Sequence, residues 1–435
     1  MALCVTVSQS VMLIARIRRA YIQQLPRKAL LKRKPNMQID TDIIVAGTGP
    51  AGLVAALSLA QAGFSVVLVG PPVGVSTGLG DRRTTALMKP SLDFLDHLGL
   101  LDAIRPQAAP LRAMRITDAT LRLLRSPTVT FRAAEIGEDM FGMNIPNAHL
   151  NAVLDEAVKN TPAIRLLPSL VSRWSPRADS IVAELENGDV ISAKLAAAAD
   201  GRRSPAREAA GISVKFWEAG QSALVMNFSH NRPHNDTSTE FHTQDGPFTQ
   251  VPLPGLRSSL VWVTRRRRAD ELAALSEVEL SHLVEERMQS MLGRVQVEQN
   301  RQVFPLASAL PRRFADKRVA LIGEAAHIFP PIGAQGLNLG VRDAEDLTKV
   351  ALRHIGDPGA PAALSAYDRA RRPDILARSS AVDMLNRSLL SDFLPAQAAR
   401  AAGLSLLRIA PPLRAFFMRE GLRTGGGFAS LLPGR

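Results

Sequence analysis

An α/β body interrupted by an antiparallel insertion is the fold that these 435 residues predict, and three observations carry the prediction. First, a short apolar run (41–46) meets a cluster of glycines, then an alanine- and leucine-rich stretch, then a second apolar run (65–69). That is a β-α-β unit, and its crossover requires a parallel sheet. Second, from 212 to about 310 the pattern changes to short alternating segments, as in antiparallel strands with one covered face. Third, residues 318–322 restore the buried-strand character and again run into a glycine turn.

In chain order, residues 41–46 enter a buried strand from a polar residue, and 51–62 form a helix that ends before Gly63. Residues 91–101 predict a helix ending near Gly99, and 150–158 another. Strand-like pieces such as 128–131 lie between them. Residues 182–186 and 190–198 flank Asn187-Gly188, the pair that a two-residue hairpin turn favours. Within the insertion, 223–228, 246–252 and 259–263 predict strands, followed by one helix over 271–292. From about Leu385 the chain reads as a helical, apolar tail. No internal repeat or low-complexity tract is present.

Composition narrows the function class. Apolar residues make 46% and charged ones 21%, which excludes a disordered or fibrous chain. One cysteine, Cys4, excludes a disulfide framework and a cysteine-based metal site. No apolar run of about 18 residues predicts a spanning helix, so the chain reads as cytoplasmic or peripheral to a membrane. Net charge is +13, but residues 1–39 hold eight basic residues and no acids, leaving 45 basic and 40 acidic elsewhere. The basic excess is therefore partly a property of an N-terminal arm. Three readings of that arm stand: a transit-like leader, a membrane-surface anchor, or an extension upstream of Met37 with no role. Arg265, Arg266, Arg267 and Arg268 read as a solvated strand-to-helix turn. No nucleic-acid signature with interleaved aromatics accompanies them.

Three motifs carry chemistry. Gly47-Thr48-Gly49-Pro50-Ala51-Gly52 lies between a strand and its helix. Its glycines allow a tight turn, close backbone approach to a pyrophosphate, and helix-on-strand packing. The helix N-terminus offers free N–H groups to phosphates. The acid expected at the end of the second strand, where it would bind ribose hydroxyls, is absent; the chain reads Val69-Gly70-Pro71-Pro72. Either another group takes the ribose or affinity is reduced. The second motif is Asp200-Gly201-Arg202-Arg203-Ser204. The third is Gly323-Glu324-Ala325-Ala326-His327, continued by Pro330-Pro331-Ile332-Gly333-Ala334-Gln335-Gly336-Leu337-Asn338 and Asp343. Glu324 sits where an acid can accept from sugar or ribityl hydroxyls, and Gly336-Leu337-Asn338 opens a helix whose N–H groups face an anion. His327 reads as a loop-shaping residue, not a catalytic one. No metal-spaced His/Asp/Glu cluster and no serine-hydrolase elbow is present.

In this order and at these separations, the three motifs resemble those of the FAD-dependent aromatic hydroxylases of the para-hydroxybenzoate hydroxylase superfamily. Within it the chain is similar to the ubiquinone-biosynthesis hydroxylases, through Asp81-Arg82-Arg83-Thr84-Thr85-Ala86-Leu87 and Gly246-Pro247-Phe248 with Val251-Pro252-Leu253-Pro254 and Leu260-Val261-Trp262. The resemblance covers about residues 40–425. It implies a Rossmann-like, GR2-type FAD-binding domain over 39–115, 140–212 and 313–385. A substrate domain of α+β antiparallel-sheet type would take 116–139 and 213–312. The basic arm would be 1–38 and the helical tail 386–435.

It further implies that Gly47, Gly49, Pro50, Ala51 and Gly52 hold the FAD pyrophosphate, with Arg83 near the phosphates and Asn147 a polar contact. Asp200 and Gly201 would serve FAD and, transiently, NADH or NADPH. Glu324, in place of the usual aspartate, would take the ribityl chain. Pro331, Gly336, Leu337 and Asn338 would lie against the isoalloxazine. The implied reaction uses NAD(P)H and O2, through a flavin C4a-hydroperoxide, to hydroxylate a polyprenylated phenol; no catalytic residue is named. The tail, with Arg400, Arg408, Arg414 and Arg419 among its apolar residues, suits a membrane surface, a partner protein of ubiquinone synthesis, or its own domain's core. Two other readings are a non-catalytic flavin-fold scaffold and another FAD enzyme such as an isoprenoid reductase or epoxidase.

Overall fold

The computed structural model describes residues 38–73, 81, 83–120, 125–299, 301–330, 335–390, 402–403, 405–407, 409–422 and 427. The basic arm over 1–37, Arg82, Pro331 and much of the tail lie outside the described residues.

Among the described residues, the parallel body is an eight-stranded sheet. Its path runs Ala315–Asp316, Val319–Leu321, Val190–Ala198, Gln38–Ala46, Val66–Val69, Ile164–Leu167. Gln38–Ala46 pairs in parallel with Val190–Ala198 on one side and Val66–Val69 on the other. Ile43, Ile44, Val45 and every residue of Val66–Val69 are buried, as in strands covered on both faces. The helix Pro50–Gln61 is almost wholly buried, which is why it is rich in alanine and leucine and lacks a polar face. Gly63, at φ +92°, turns the chain out of it.

The hairpin forms at Asn187-Gly188, but through a three-residue turn: Leu185 N donates to the Asp189 carbonyl and Gly188 N to the Leu185 carbonyl, and Asn187 does not take the positive φ of a two-residue turn. Ile181–Leu185 pairs antiparallel with Val190–Ala198, and Gly188 takes φ +91°. Ala196, Ala197 and Ala198 then pair in parallel with Val319, Ala320 and Leu321. One strand thus leads from the hairpin into the parallel body, and its tip is Asp200.

The second eight-stranded sheet runs Val295–Val297, Val214–His230, Arg257–Arg265, Gly246–Leu253, Thr237–Thr243, Ala113–Asp118, Val129–Arg132, with Gln302–Pro311 also on Val214–His230. It is antiparallel except where Thr237–Thr243 runs parallel to Ala113–Asp118. Strand alternation sends Leu224, Met226, Phe228, Leu260 and Trp262 to one face, where they pack with Leu272, Leu280 and Val284. Those last three come from two helices, Arg266–Ala274 and Glu277–Arg287, where the sequence predicted one. Leu275 is extended (ψ 157°), and Ser276 restarts the helix: its hydroxyl accepts from Glu279 N while the Glu279 carboxylate accepts from Ser276 N. The four arginines span the strand end and the first helical turn, with Arg267 and Arg268 on Glu271 at 2.9 and 3.2 Å.

A small third sheet, Thr84–Met88, Gly142–Pro146 and Ala109–Leu111, joins the two bodies. Thr84 Oγ1 donates to Ser259 Oγ (3.0 Å), and Asn144 Nδ2 to the Pro252 carbonyl (2.8 Å). The tail helix Pro411–Leu422 packs Ala415, Met418 and Leu422 on Ala133, Ile136 and Phe141. Arg414 pairs with Glu135 at 2.6 Å. Its outward Phe417 is 51% exposed, and Ile409 just before it 73%.

Candidate active site

The three motifs, far apart in sequence, meet at the C-terminal end of the parallel strands, where ligands of such sheets bind. Gly47 holds φ +118°, and a Cβ there would lie 2.1 Å from the Ala199 carbonyl oxygen, so only glycine allows the turn to touch the strand tip that carries Asp200. A Cβ at Gly52 would fall 2.0 Å from the Gly47 oxygen. The Ala51 methyl fills the space between Gly323 and Gly340, where added Cβ atoms would come within 3.1 and 3.0 Å of it. Gly49 differs: nothing approaches its Cβ position within 4 Å. It caps the helix without a side-chain hydrogen bond, Pro50 follows, and no acid lies in the first turn. The helix end therefore presents unmet N–H groups and positive dipole to open space, the arrangement that takes a pyrophosphate.

Asp200 stands beside this turn. Its Oδ2 accepts from Ala206 N (3.1 Å), but its Oδ1 is buried without a partner. Burial raises the Asp200 pKa against the hydrogen bonds from Ser204 and Ala206. A buried acceptor lacking a donor fits a sugar hydroxyl, and on this ground the residues present fit FAD. Gly201 turns the chain at φ +83°. Ser204 caps the next helix, and the buried Arg207 donates to the Ala325 carbonyl (2.9 Å) and the Arg202 carbonyl (2.8 Å). One guanidinium thus ties the second motif to the third.

In the third motif, Glu324 sits on the turn Gly323–Ala325, half-exposed and paired with Arg202 at 3.2 and 3.4 Å. His327 is buried, stacks on Phe329, and bonds Asp343 Oδ2 at 2.8 Å. That contact is consistent with its reading as a loop-shaping residue. Pro331 lies outside the described residues. Gly336 has open space at its Cβ position, and Leu337 packs on the core. The Asn338 side chain is turned inward: Oδ1 accepts from Met88 N and Ser91 Oγ (both 2.8 Å) and Nδ2 donates to the Ala86 carbonyl (2.8 Å). It stitches the helix start to residues 86–91.

Arg83 and Asn147 come together through a residue that the motif reading passed over. Asp81 accepts from Arg83 Nε and Nη2 (both 2.7 Å) and from Asn147 Nδ2 (3.1 Å). Burial works against ionised Asp81, yet these bonds hold it below the ordinary carboxylate range. The Arg83 guanidinium also lies 5.4 Å from the Phe304 ring centre in the second sheet. The signal for Asp81 was its place two residues before Arg83, the spacing that a bidentate side-chain turn needs.

The missing ribose acid has a steric explanation. A Cβ at Gly70 would lie 2.9 Å from Thr48 Cγ2 and 3.0 Å from Thr48 N, and Thr48 Oγ1 donates to the Pro71 carbonyl (2.6 Å). Thr48 occupies the room an acid would need. Gly70→Glu is accordingly expected to weaken FAD binding, because overpacking here costs about 1–3 kcal/mol. Thr48→Ala with Gly70→Glu should recover part of the lost affinity, because it removes the side-chain contacts but leaves the close Thr48 N in place, as read by flavin fluorescence titration.

Comparison with known proteins gives the family. A family model described as an FAD binding domain matches residues 40–377. Fold, glycine turn and family match define an FAD-dependent flavoprotein monooxygenase. Ubiquinone hydroxylase UbiL of Rhodospirillum rubrum is 33% identical over 390 residues, 88% of this chain and 90% of that protein. The 3-demethoxyubiquinol 3-hydroxylase of Escherichia coli is 30% identical, over 84% of this chain and 94% of its own. The crystal structure of p-nitrophenol 4-monooxygenase PnpA from Pseudomonas putida shares the fold at TM-score 0.70 and 24% identity, covering 89% of this chain and 97% of that one. The chain belongs to the FAD-dependent hydroxylases of ubiquinone biosynthesis. It is an aromatic-ring monooxygenase with FAD as cofactor and NADH or NADPH as the reductant typical of the family. No described helix is long and apolar enough to cross a membrane.

Proposed function

We propose that this chain inserts one oxygen atom of O2 into the aromatic ring of a polyprenylated phenol, the other leaving as water while NADH or NADPH is oxidised. The observation that carries the reading is the meeting of the three motif loops, the Asp200 loop at Gly47 and Gly52 and the Gly323 loop at Ala51, with the unpartnered Asp200 oxygen beside them. The relatives' names, ubiquinone hydroxylase and 3-demethoxyubiquinol 3-hydroxylase, support the substrate class. When bound, FAD supplies the redox chemistry with dioxygen; the residues hold, orient and shield it.

In this reading Gly47, Gly49, Pro50, Ala51 and Gly52 cradle the pyrophosphate, with Arg83 and Asn147 fixed nearby by Asp81. Asp200 and Gly201 take sugar hydroxyls and border the transient site of the nicotinamide donor. Glu324 takes the ribityl chain, and Pro331 with the backbone of Gly336, Leu337 and Asn338 borders the ring system. The phenol ring lies against the sheet face opposite the helices, where Val225 and Val261 are cross-strand partners and only half-buried. The prenyl tail leaves toward a lipid surface that Phe417 and Ile409 meet, their helix partners Met418 and Leu422 facing inward.

The test is an absorbance spectrum followed by NADH and NADPH oxidation under air. Flavin bands near about 375 and 450 nm are expected, with oxidation stimulated by a prenylated phenol in anionic vesicles and a product bearing one atom of isotopically labelled dioxygen. Folded protein that takes up no FAD in excess would sink the reading and favour the scaffold. A product lacking oxygen from O2 would point to a reductase.

A further inference from the structure

We propose that Arg202 is a positioning residue of the cofactor site, which aims the Glu324 carboxylate and makes the longer acid necessary. The inference rests on the reading of Glu324 as the ribityl acid. Glu324 stands on a short turn, and its side chain is 57% exposed. An unrestrained glutamate there would spread over many rotamers and point at the cofactor only part of the time. Arg202 comes from the other loop, two residues past Asp200, and reaches both carboxylate oxygens, at 3.2 and 3.4 Å.

The backbones on either side of the pair are already fixed. Arg207 holds the Arg202 carbonyl with one nitrogen and the Ala325 carbonyl with another. Asp343 holds Gly323 N at 2.9 Å. With both loops pinned, the side-chain pair sets where the carboxylate points, and the Arg83 guanidinium, which feels the Glu324 charge without a hydrogen bond to it, adds attraction but no fixed geometry. A carboxylate has two oxygens and about four acceptor sites, so it can keep Arg202 and still accept from a hydroxyl. Aspartate at 324, one methylene shorter, would pull back from Arg202. The glutamate at this position and the arginine at 202 therefore form one unit.

The experiment titrates apoprotein with FAD, followed by flavin fluorescence, for the parent and for Glu324→Ala, Arg202→Ala, the double variant and Arg202→Lys. Arg202→Ala and Glu324→Ala are each expected to weaken binding by about fivefold, the upper end for a half-exposed ion pair. The double variant should be no weaker than either single one, since two members of one unit do not add. Arg202→Lys should restore only part of the affinity, because it keeps the charge but not the two-point hold on the carboxylate. Added salt should weaken the parent more than Arg202→Ala, because the pair is open to screening. The apoprotein should lose no more stability than a half-exposed ion pair contributes, under about fivefold in its folded-to-unfolded ratio.

If Glu324→Ala weakens binding and Arg202→Ala does not, this proposal fails and the ribityl reading stands. If Glu324→Ala binds FAD like the parent, the ribityl reading fails and the proposal with it. If Arg202→Ala costs the apoprotein more stability than that ion-pair contribution, Arg202 is a fold residue and the proposal is overturned.

Discussion

Alanine at Gly47 and alanine at Gly49 are expected to fail in different ways. At Gly47 the new methyl would lie 2.1 Å from a backbone oxygen at φ +118°, with no flexible neighbour to yield. The turn and the strand tip that bears Asp200 must separate. Strain and overpacking together cost about 3 kcal/mol, so the apoprotein melts earlier. FAD affinity should fall by about a hundredfold, at roughly 1.4 kcal/mol per tenfold. At Gly49 the methyl meets nothing within 4 Å, and φ is an ordinary −74°. Its apoprotein should melt within about 1 kcal/mol of the parent, the cost of a poorer cap. Affinity should nevertheless fall about tenfold, because the methyl stands where a pyrophosphate approaches the helix end. Parallel FAD titrations and apoprotein melts separate the two. Parent-like FAD binding by Gly49→Ala would move the pyrophosphate away from this helix and undo the proposed site.

That contrast shows which features could be read from the chain. The glycine turn was legible because its demands are local: a positive φ, a close approach and a helix start within six residues. The Asn187-Gly188 hairpin was legible for the same reason. The break at Ser276 was also written locally, as Ser-x-x-Glu, a helix-start signal inside the stretch that the sequence analysis gave to one helix. Partner choice was not legible. Nothing in the sequence says that Asp81 also takes Asn147, 66 residues on, or that Asn338 turns inward to residues 86–91. Those contacts join segments brought together only by the crossover topology. Gly70 looked like a lost acid, and only the volume of Thr48 shows a reason for the glycine. Motif spacing shows where a cofactor belongs, whereas the second layer of contacts depends on space, which a linear pattern does not record.

Replacing Arg371 with methionine is expected to be the most destabilising single change outside the glycine turns. Asp343 is completely buried and accepts from three donors: Gly323 N (2.9 Å), His327 (2.8 Å) and Arg371 Nε (2.7 Å). Arg371, itself 2% exposed, also meets Asp346 (2.9 Å) and Asp374 (3.3 Å). Removing one partner from such a pair strands a charge away from water, at a cost of about 3–5 kcal/mol. Methionine matches the stem in length, so lost packing is a minor part of that cost. Burial alone would raise the Asp343 pKa, but His327 and Arg371 overcome it and hold it below the ordinary carboxylate range. A carboxylate depressed in the folded state adds stability above its unfolded pKa and loses it as pH falls through the folded one. Without Arg371 the folded pKa rises, so acid unfolding, followed by tryptophan fluorescence, should begin at higher pH than in the parent. Asp343→Asn keeps the shape and leaves Arg371 two carboxylates, so it should cost less, about 1–3 kcal/mol. The effect should also reach the cofactor. Asp343 pins the amide of Gly323, one residue before Glu324, and a carboxylate that rotates to find a new partner releases that turn. Arg371→Met should therefore weaken FAD binding even at temperatures where it remains folded, although Arg371 lies one layer behind the loops that meet the cofactor. A variant that melts early yet binds FAD as tightly as the parent would show that Asp343 keeps its hold on Gly323 without Arg371.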